Sequence, residues 1–351
     1  MTTLPSPRTP DPMTAPPLRW GILGPGGIAR TMVTALRSCT RQQVVAVGSR
    51  DPGRARAFAG EFGIGTAYGS YAELVADPAV DVVYVATPHS AHREHALLAL
   101  GAGKPVLVEK AFARNVTEAR EIVTGAAERG LFCMEGLWTR FLPGTDIIRR
   151  CLDDGLLGDV EVVLADHGQP LYPNGPARLT DPALAGGALL DLGVYPLHLA
   201  AFALGGIASV SATGHLTPEG VDAAEAMVVT GRRGGLGVLH ATMTARTATV
   251  ASIAGTRGRL DLGERTQWRG RWYAPTVIRY QGRDEPASTQ WAPDPESDVA
   301  LLGLHFEACE AARCIAAGLT ETTLLPLAET VAVMEIMDEV RRQLGVRYPG
   351  E

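Results

Sequence analysis

No two cysteines in this chain have the CxxC spacing of a redox or zinc motif. The five, at positions 39, 133, 151, 309 and 314, are scattered and odd in number. Neither a paired-cysteine metal site nor a disulfide framework follows from them, and they read as core thiols in a reducing, cytoplasmic compartment. Basic charge is also scarce. Lys and Arg total 32 against 38 Asp and Glu, a net −6, so the basic stripe of a nucleic-acid binder is missing. No window of about 18 uninterrupted apolar residues marks a membrane span. The most apolar stretch, 188–207, is broken by Asp191, Pro196 and His198. Residues 1–17 hold six prolines and one arginine. They lack the basic start and apolar block of a secretory signal and read as a disordered tail, with Met13 offering an alternative start.

What is present is an ordinary globular composition, 46% hydrophobic and 20% charged over 351 residues, enough for two domains. The first part alternates strand and helix. Apolar runs at 18–23, 43–48, 81–86, 105–109 and 131–135 are separated by amphipathic segments at 28–37, 52–62, 70–76, 91–102 and 116–129. That rhythm predicts βαβ units and a doubly wound parallel sheet over 18–140. From 141 to 351 the pattern changes. A helix at 144–153 precedes extended stretches at 159–168, 208–216, 224–231, 236–244, 249–255 and 258–263. Turns such as Arg232-Arg233-Gly234-Gly235 join hairpin partners, so this α+β part carries a largely antiparallel open sheet. Helices at 298–317 and 326–344 finish the chain.

The first strand runs into Gly24-Pro25-Gly26-Gly27-Ile28-Ala29 and then a helix. A strand, glycine turn and helix start in that order cradle a dinucleotide pyrophosphate. The second strand ends in Ser49-Arg50-Asp51, and Arg54 follows. An NAD enzyme places an acid there for the ribose 2′-hydroxyl. A hydroxyl followed by arginines suits a 2′-phosphate instead, so NADP(H) is favoured over NAD(H). Asp51 either bonds the ribose or caps the helix that starts at Pro52. The fourth strand leaves through Thr87-Pro88-His89, with His92 three residues on. These sit where ligands lie outside the carboxyl ends of an open sheet. His89 and His92 are therefore read as cofactor neighbours, and His95 as facing outward.

Charge then appears at the end of a buried-type strand, Val106-Leu107-Val108-Glu109-Lys110. Beside a nicotinamide, Lys110 is placed to hold a substrate oxygen and to lower a neighbouring group's pKa. Glu109 joins the cofactor shell. Further on, Asp191, Tyr195 and His198 are spaced i, i+4, i+7, one face of a helix, in a segment otherwise apolar. Gly193 and Pro196 place the helix start near Tyr195, with Asp191 before it.

The ordered segments GILGPGGIA, ATPHSAHREHALLALGAGKPVLVEKAFA, MEGLWTRFLP, GGALLDLGVYPLHL and LGVRYPGE resemble the Gfo/Idh/MocA oxidoreductase family. The likeness runs from about residue 18 to the C-terminus. Within that family, the third and fourth segments look most like the dihydrodiol dehydrogenase and NADP-linked xylose dehydrogenase group. The resemblance implies a Rossmann domain joined to an α/β domain whose open sheet face makes the contact of a homodimer or homotetramer. It implies further that Tyr195 stands where relatives place a Tyr or His acid/base, and that Asp191 bonds substrate hydroxyls. One departure is that the family's usual Glu-Lys-Pro reads Glu109-Lys110-Ala111 here.

Trp138 and Arg140 are expected to border the substrate, with an aromatic face for a ring and a cation for hydroxyls or a carboxylate. His198 joins them as a substrate neighbour. Tyr172 and Arg178 lie in a Pro- and Gly-rich loop, 169–187, read as a substrate loop. Together these readings describe an NADP(H)-dependent oxidoreductase acting on a secondary alcohol or ketone of a sugar, cyclic polyol or dihydrodiol. The alternative is a regulatory protein of the same fold that binds NADP(H) without turnover.

Overall fold

The computed structural model describes residues 3–263, 271–274, 277–292 and 303–351. It divides into two compact units. The first is built on a six-stranded parallel sheet in the order β3-β2-β1-β4-β5-β6. Its strands are β1 (Arg19–Leu23), β2 (Gln43–Gly48), β3 (Thr66–Tyr68), β4 (Val82–Val85), β5 (Val106–Glu109) and β6 (Cys133–Gly136). The helices between them are α1 (Gly27–Cys39), α2 (Pro52–Phe62), α3 (Tyr71–Ala76), α4 (His92–Gly101) and α5 (Val116–Ala127). This is the strand order of a dinucleotide-binding sheet, reversing direction of growth beside β1. β4, β5 and β6 are buried along their whole length, as helices on both faces of a parallel sheet require. Local chemistry fixes the helix starts. Asp51 accepts from Gly53 N at 2.8 Å, Ser70 and Glu73 form a capping box on α3, and Asn115 accepts from Glu118 N at 2.9 Å.

The second unit opens with α6 (Pro143–Asp153) and is built on an eight-stranded sheet ordered β14-β13-β12-β11-β7-β10-β9-β8. Its strands are β7 (Val160–Gly168), β8 (Ile207–Leu216), β9 (Asp222–Gly231), β10 (Leu236–Thr242), β11 (Ala251–Gly255), β12 (Gly258–Leu262), β13 (Ile278–Gly282) and β14 (Thr289–Trp291). Every pairing is antiparallel except β10 with β7. One face packs on α7 (Val194–Leu204). On the strands the side chains alternate, leaving Leu164, Val228, Leu236 and Val238 between 46% and 50% exposed. Val238 is paired in register with Leu164 on β7 and with Val228 on β9. Three strands thus present one continuous apolar row.

The last helices are α8 (Leu304–Ala316) and α9 (Leu327–Leu344). The first residues of the helix expected over 298–317 lie outside the described residues. α8 packs on α1 and groups, with the chain through Val331, in the nucleotide-type unit. The grouping differs from a simple cut at residue 140, because α8 lays its buried face (Leu304, Ala308, Ala311, Ala312) on that unit.

Residues 3–17 differ from the disordered tail expected. Asp11 caps a turn at Pro12–Thr14, and Arg313 donates to the Asp11 carbonyl at 2.9 Å. Gln42 donates to the Pro16 carbonyl at 2.8 Å. In the other unit Arg8 bonds Asp146 through its backbone N–H at 2.7 Å and its guanidinium at 3.0 Å. Side chains of the body donate to backbone carbonyls of the segment, and that pins it. One stretch, Pro182–Leu204, is long and apolar enough by composition to cross a bilayer, and 94% of its most apolar 18-residue window is buried inside the protein. It is a core element.

Candidate active site

In the first unit the chemistry gathers at the carboxyl ends of the parallel strands. Gly24 has φ +96°, and a Cβ there would stand 2.8 Å from the Ala86 carbonyl oxygen. Only glycine lets β1 turn that closely past β4. Gly26 is the N-cap of α1 and supplies no side-chain cap. A Cβ on Gly27 would meet nothing within 4 Å, and Ile28 follows half-buried. Among the described residues no side chain caps the first N–H groups of α1, and an open helix start of this kind fits a pyrophosphate.

Asp51 is resolved as the helix cap, since its carboxylate is held by Gly53 and Arg54 N–H groups. Ser49 is buried and accepts from Asp51 N at 3.2 Å. The Arg50 and Arg54 guanidinium groups lie near enough to the Tyr71 phenol to act on its ionisation. Burial raises the Tyr71 pKa against the pull of these two cations. Two exposed guanidinium groups thus lie beyond β2, and the Asp51 carboxylate between them in sequence is engaged by backbone N–H groups. This suits a 2′-phosphate.

At the end of β4, Thr87 is buried against Gly24 and Pro88 opens the one-turn helix His89–Ala91. His92 departs from expectation. It is fully buried, one ring nitrogen lying 2.7 Å from the Thr87 carbonyl and the other 2.9 Å from the Ala111 carbonyl. Burial pulls its pKa down to about 4. It ties the β4 end to the β5 end, with both ring nitrogens turned to backbone carbonyls. His95, read as outward-facing, is buried too, with Nδ1 3.0 Å from the Thr87 hydroxyl and its ring edge-on to Tyr71. His89 is buried with its ring 5.6 Å from that of His92.

Lys110 is half-buried just past β5, and the Lys110–Ala111 peptide is cis. Glu109, expected in the cofactor shell, is buried and accepts from the Tyr84 hydroxyl inside the sheet. Arg140 is likewise reassigned. Its guanidinium is ion-paired with Glu329 and donates to the Leu324 carbonyl at 3.0 Å, so it braces this unit and is not a cation for substrate. Trp138 is buried in the same turn, at 3% exposure.

In the second unit Asp191 lies in a π turn, Leu189–Gly193, that runs directly into α7. α7 starts next to Tyr195, as expected, but the π turn carries helical backbone on from Asp191, which had been placed ahead of the helix. Val194 N–H reaches back to the Leu189 carbonyl, one residue further than an α-turn, and the wider turn accommodates Pro196 without a clash. The β9 carboxylates hold this turn from beneath. Asp222 accepts from Leu189 N, and Glu225 Oε1 occupies the space where a Gly193 Cβ would stand, 2.7 Å away. Both are buried, and burial raises both pKa values, Asp222 to about 6. Asp191 is buried and takes Arg178 of the 169–187 loop at 3.0 Å. That loop is anchored by Leu179 in a small core with Ala188, Leu192 and Met243. His198 is buried in the apolar α7.

Around Tyr195 the fold brings groups that the sequence did not mark as a set. The His167 ring lies 5.2 Å from Tyr195 and stacks on Tyr273 at 4.4 Å. Tyr273 is itself 5.2 Å from Tyr195. Gln169 contacts His167 at 3.0 Å, and Trp272 donates to the Asp166 carbonyl at 2.8 Å. The one available signal was the adjacent aromatic pair Trp272-Tyr273 in a charged stretch. Tyr195 therefore stands in an aromatic wall with a carboxylate four residues before it.

A 3-2-1-4-5-6 sheet with an open glycine cradle defines a dinucleotide-binding protein, and the ionisable groups at its strand ends equip it for proton handling. Comparison with known proteins carries this further. Residues 18–137 match an oxidoreductase family with an NAD-binding Rossmann fold, and residues 146–261 match the GFO/IDH/MocA C-terminal domain. The trans-1,2-dihydrobenzene-1,2-diol dehydrogenase of Bos taurus is 38% identical over 337 residues, covering 95% of this chain and 98% of that protein. The Danio rerio protein of the same name is 38% identical over 341 residues, covering 94% and 98%. Among solved structures, KijD10, a 3-ketoreductase from Actinomadura kijaniata in complex with TDP-benzene and NADP, superposes with TM-score 0.75 at 28% identity, over 94% and 98% of the two chains. The chain belongs to the Gfo/Idh/MocA family of NAD(P)-binding oxidoreductases.

Proposed function

We propose that this protein is an NADP(H)-dependent dehydrogenase or reductase. Its substrate is a secondary alcohol, or the matching ketone, in a sugar, cyclic polyol or dihydrodiol. When bound, the nicotinamide supplies or takes the hydride; the chain handles one proton and the substrate's orientation. The observation that carries the reading is the setting of Tyr195. A phenol beside the rings of His167 and Tyr273, with Asp191 one helical turn earlier, offers a flat wall for a ring and polar groups for its hydroxyls.

The roles follow from chemistry. Tyr195 exchanges the hydroxyl proton, and Asp191 accepts from substrate hydroxyls while Arg178 holds it. Lys110 offers an ammonium to the oxygen that gains or loses charge. Gly24, Gly26 and Gly27 admit the pyrophosphate, and Arg50 with Arg54 takes the 2′-phosphate, which favours NADP(H) over NAD(H). The curated relatives named above as dihydrodiol dehydrogenases, and the ketoreductase held with NADP, support a cyclic diol or sugar substrate. The exposed apolar row of Leu164, Val238 and Val228 supports a homo-oligomer formed through this sheet. Five free cysteines support a reducing, cytoplasmic setting.

The test is nicotinamide absorbance during incubation with aldoses, inositols and cyclic dihydrodiols, run on wild type, Lys110→Ala and Tyr195→Phe. Turnover of one class, falling at least about 100-fold in each variant while cofactor binding persists, is the expected result. Tight NADP(H) binding with no turnover across the panel would leave the regulatory reading standing. Native turnover in Tyr195→Phe would move the proton elsewhere.

A further inference from the structure

Two buried carboxyl groups come together inside the first unit, and a third adds its charge to theirs. Glu109 ends β5, Glu135 lies on β6, and Glu307 reaches in from α8. All three are buried, Glu307 completely. Their partners differ. Glu109 accepts from the Tyr84 hydroxyl, and Glu135 accepts from the Thr330 hydroxyl at 2.8 Å. Neither oxygen of Glu307 receives a hydrogen bond from any donor among the described residues.

Its place is nevertheless defined. A Cβ on Gly136 would stand 3.6 Å from Glu307 Oε2 and 3.4 Å from Glu109 Cα. Gly136 pairs with Glu109 across β5 and β6. The missing side chain thus opens a niche at the strand ends, and the Glu307 carboxyl fills it beside Glu109.

A buried carboxylate that accepts nothing is costly, and two further acids beside it raise the cost. A carboxylic acid that keeps its proton has one O–H to donate, and then the lack of donors around it is no defect. Burial, and after it the charges of Glu109 and Glu135, push the Glu307 carboxyl well above its ordinary range, in keeping with that form. We propose that Glu307 is a positioning residue for this oxidoreductase, donating its carboxyl O–H to the Glu109 carboxylate and so fixing the strand end from which Lys110 projects. The Glu307 acid then joins the Tyr84 phenol among the donors that hold Glu109. The inference rests on the reading of Lys110 given above.

Two measurements on the intact protein test it. The first is infrared difference spectroscopy at neutral pH, wild type against Glu307→Gln. The wild-type-minus-variant spectrum is expected to carry one un-ionised carboxyl band, that of Glu307, since the acid form of Glu225 is common to both proteins and cancels. The second is steady-state kinetics. Glu307→Leu removes the donor and is expected to lower kcat by about 10- to 100-fold with KM for NADP(H) little changed, as for a lost charge-assisted hydrogen bond. Glu307→Gln keeps an N–H donor and should recover most of that loss. Absence of the carboxyl band, wild-type kcat in Glu307→Leu, or equal damage in both variants each overturns the proposal. If Glu307→Leu does not fold, the band and the kinetics of Glu307→Gln still decide. Full turnover in Lys110→Ala with the band present would mean that the reading of Lys110 has failed while the Glu307 O–H stands.

Discussion

Adding one methyl group at Gly24 or at Gly27 separates the two functions of the glycine turn. Alanine at Gly24 must adopt φ +96° and place its Cβ 2.8 Å from the Ala86 carbonyl. The left-handed conformation alone costs about 1–2 kcal/mol, and relief of the contact must move either the turn or the end of β4. If that cost is met by displacing the cradle, cofactor affinity falls about 5- to 30-fold, at 1.4 kcal/mol per tenfold. Thermal stability falls with it. Gly27 is different. It begins α1, its added Cβ meets nothing within 4 Å, and alanine in a helix is favoured over glycine by up to about 1 kcal/mol. Gly27→Ala is therefore expected to hold or raise Tm. Yet it should weaken NADP(H) by about tenfold or more, because the methyl group occupies the approach to the pyrophosphate. The assay is titration of NADPH fluorescence beside a thermal melt for each variant. Wild-type affinity in Gly27→Ala would refute the placement of the pyrophosphate at this helix start, whatever Gly24→Ala does.

Arg50→Ala should weaken NADP(H) more than NAD(H) in the same titration, since it removes a cation that only a 2′-phosphate uses; equal losses would remove the phosphate assignment. Val238→Asp places a charge in the middle of the apolar row shared with Leu164 and Val228, so sedimentation should show smaller species with the fold intact. A wild-type oligomer in that variant would place the subunit contact elsewhere. Burial holds Asp222 up at about 6, above the ordinary value of about 3.9 for an aspartate. The folded chain then keeps a proton the unfolded chain has released, so this group's contribution to stability falls as pH rises from about 4 to about 6 and is level above that. Asp222→Asn should remove that component of the slope in denaturant melts across the range, and an unchanged slope would refute it.

Elements whose signal is local were legible in the sequence. β2 and α2 fall where their apolar runs and the Asp51-Pro52 start place them, because a buried parallel strand and a capped helix announce themselves within a few residues. β3, β13 and β14 were not read. β3 and β14 are three-residue edge strands, too short for a periodic pattern, and β13 follows a stretch with no alternation. The glycine cradle and the arginines beyond β2 were legible for the same local reason. Polar residues that the fold buries were not. His92 looks like a cofactor neighbour and His95 like a surface residue of α4 until the Thr87 and Ala111 carbonyls are brought against the first and the Thr87 hydroxyl against the second. Arg140 looks like a substrate cation until Glu329, far along the chain, takes it. The aromatic wall of His167, Trp272 and Tyr273 draws on β7 and a distant loop, and no spacing rule links them to Tyr195.

The two units solve one physical problem in the same way. Each must hold an ionisable side chain at the edge of an apolar interior, Lys110 in one and Asp191 with Tyr195 in the other, without letting it drift. In both, a strand end or helix start lacks a side chain at a glycine, Gly136 or Gly193, and a buried glutamate from another element fills the gap, Glu307 or Glu225. Neither glutamate accepts a hydrogen bond from a described donor, and burial raises both toward the acid form. An apolar side chain would fill such a niche at less desolvation cost, but it would offer no directional bond to the backbone or carboxylate beside it. A neutral acid combines modest burial cost with one oriented donor. On the function proposed for Lys110 and Tyr195, that is what their supports must supply, because an error of an ångström in a reacting group costs far more rate than such a support costs stability.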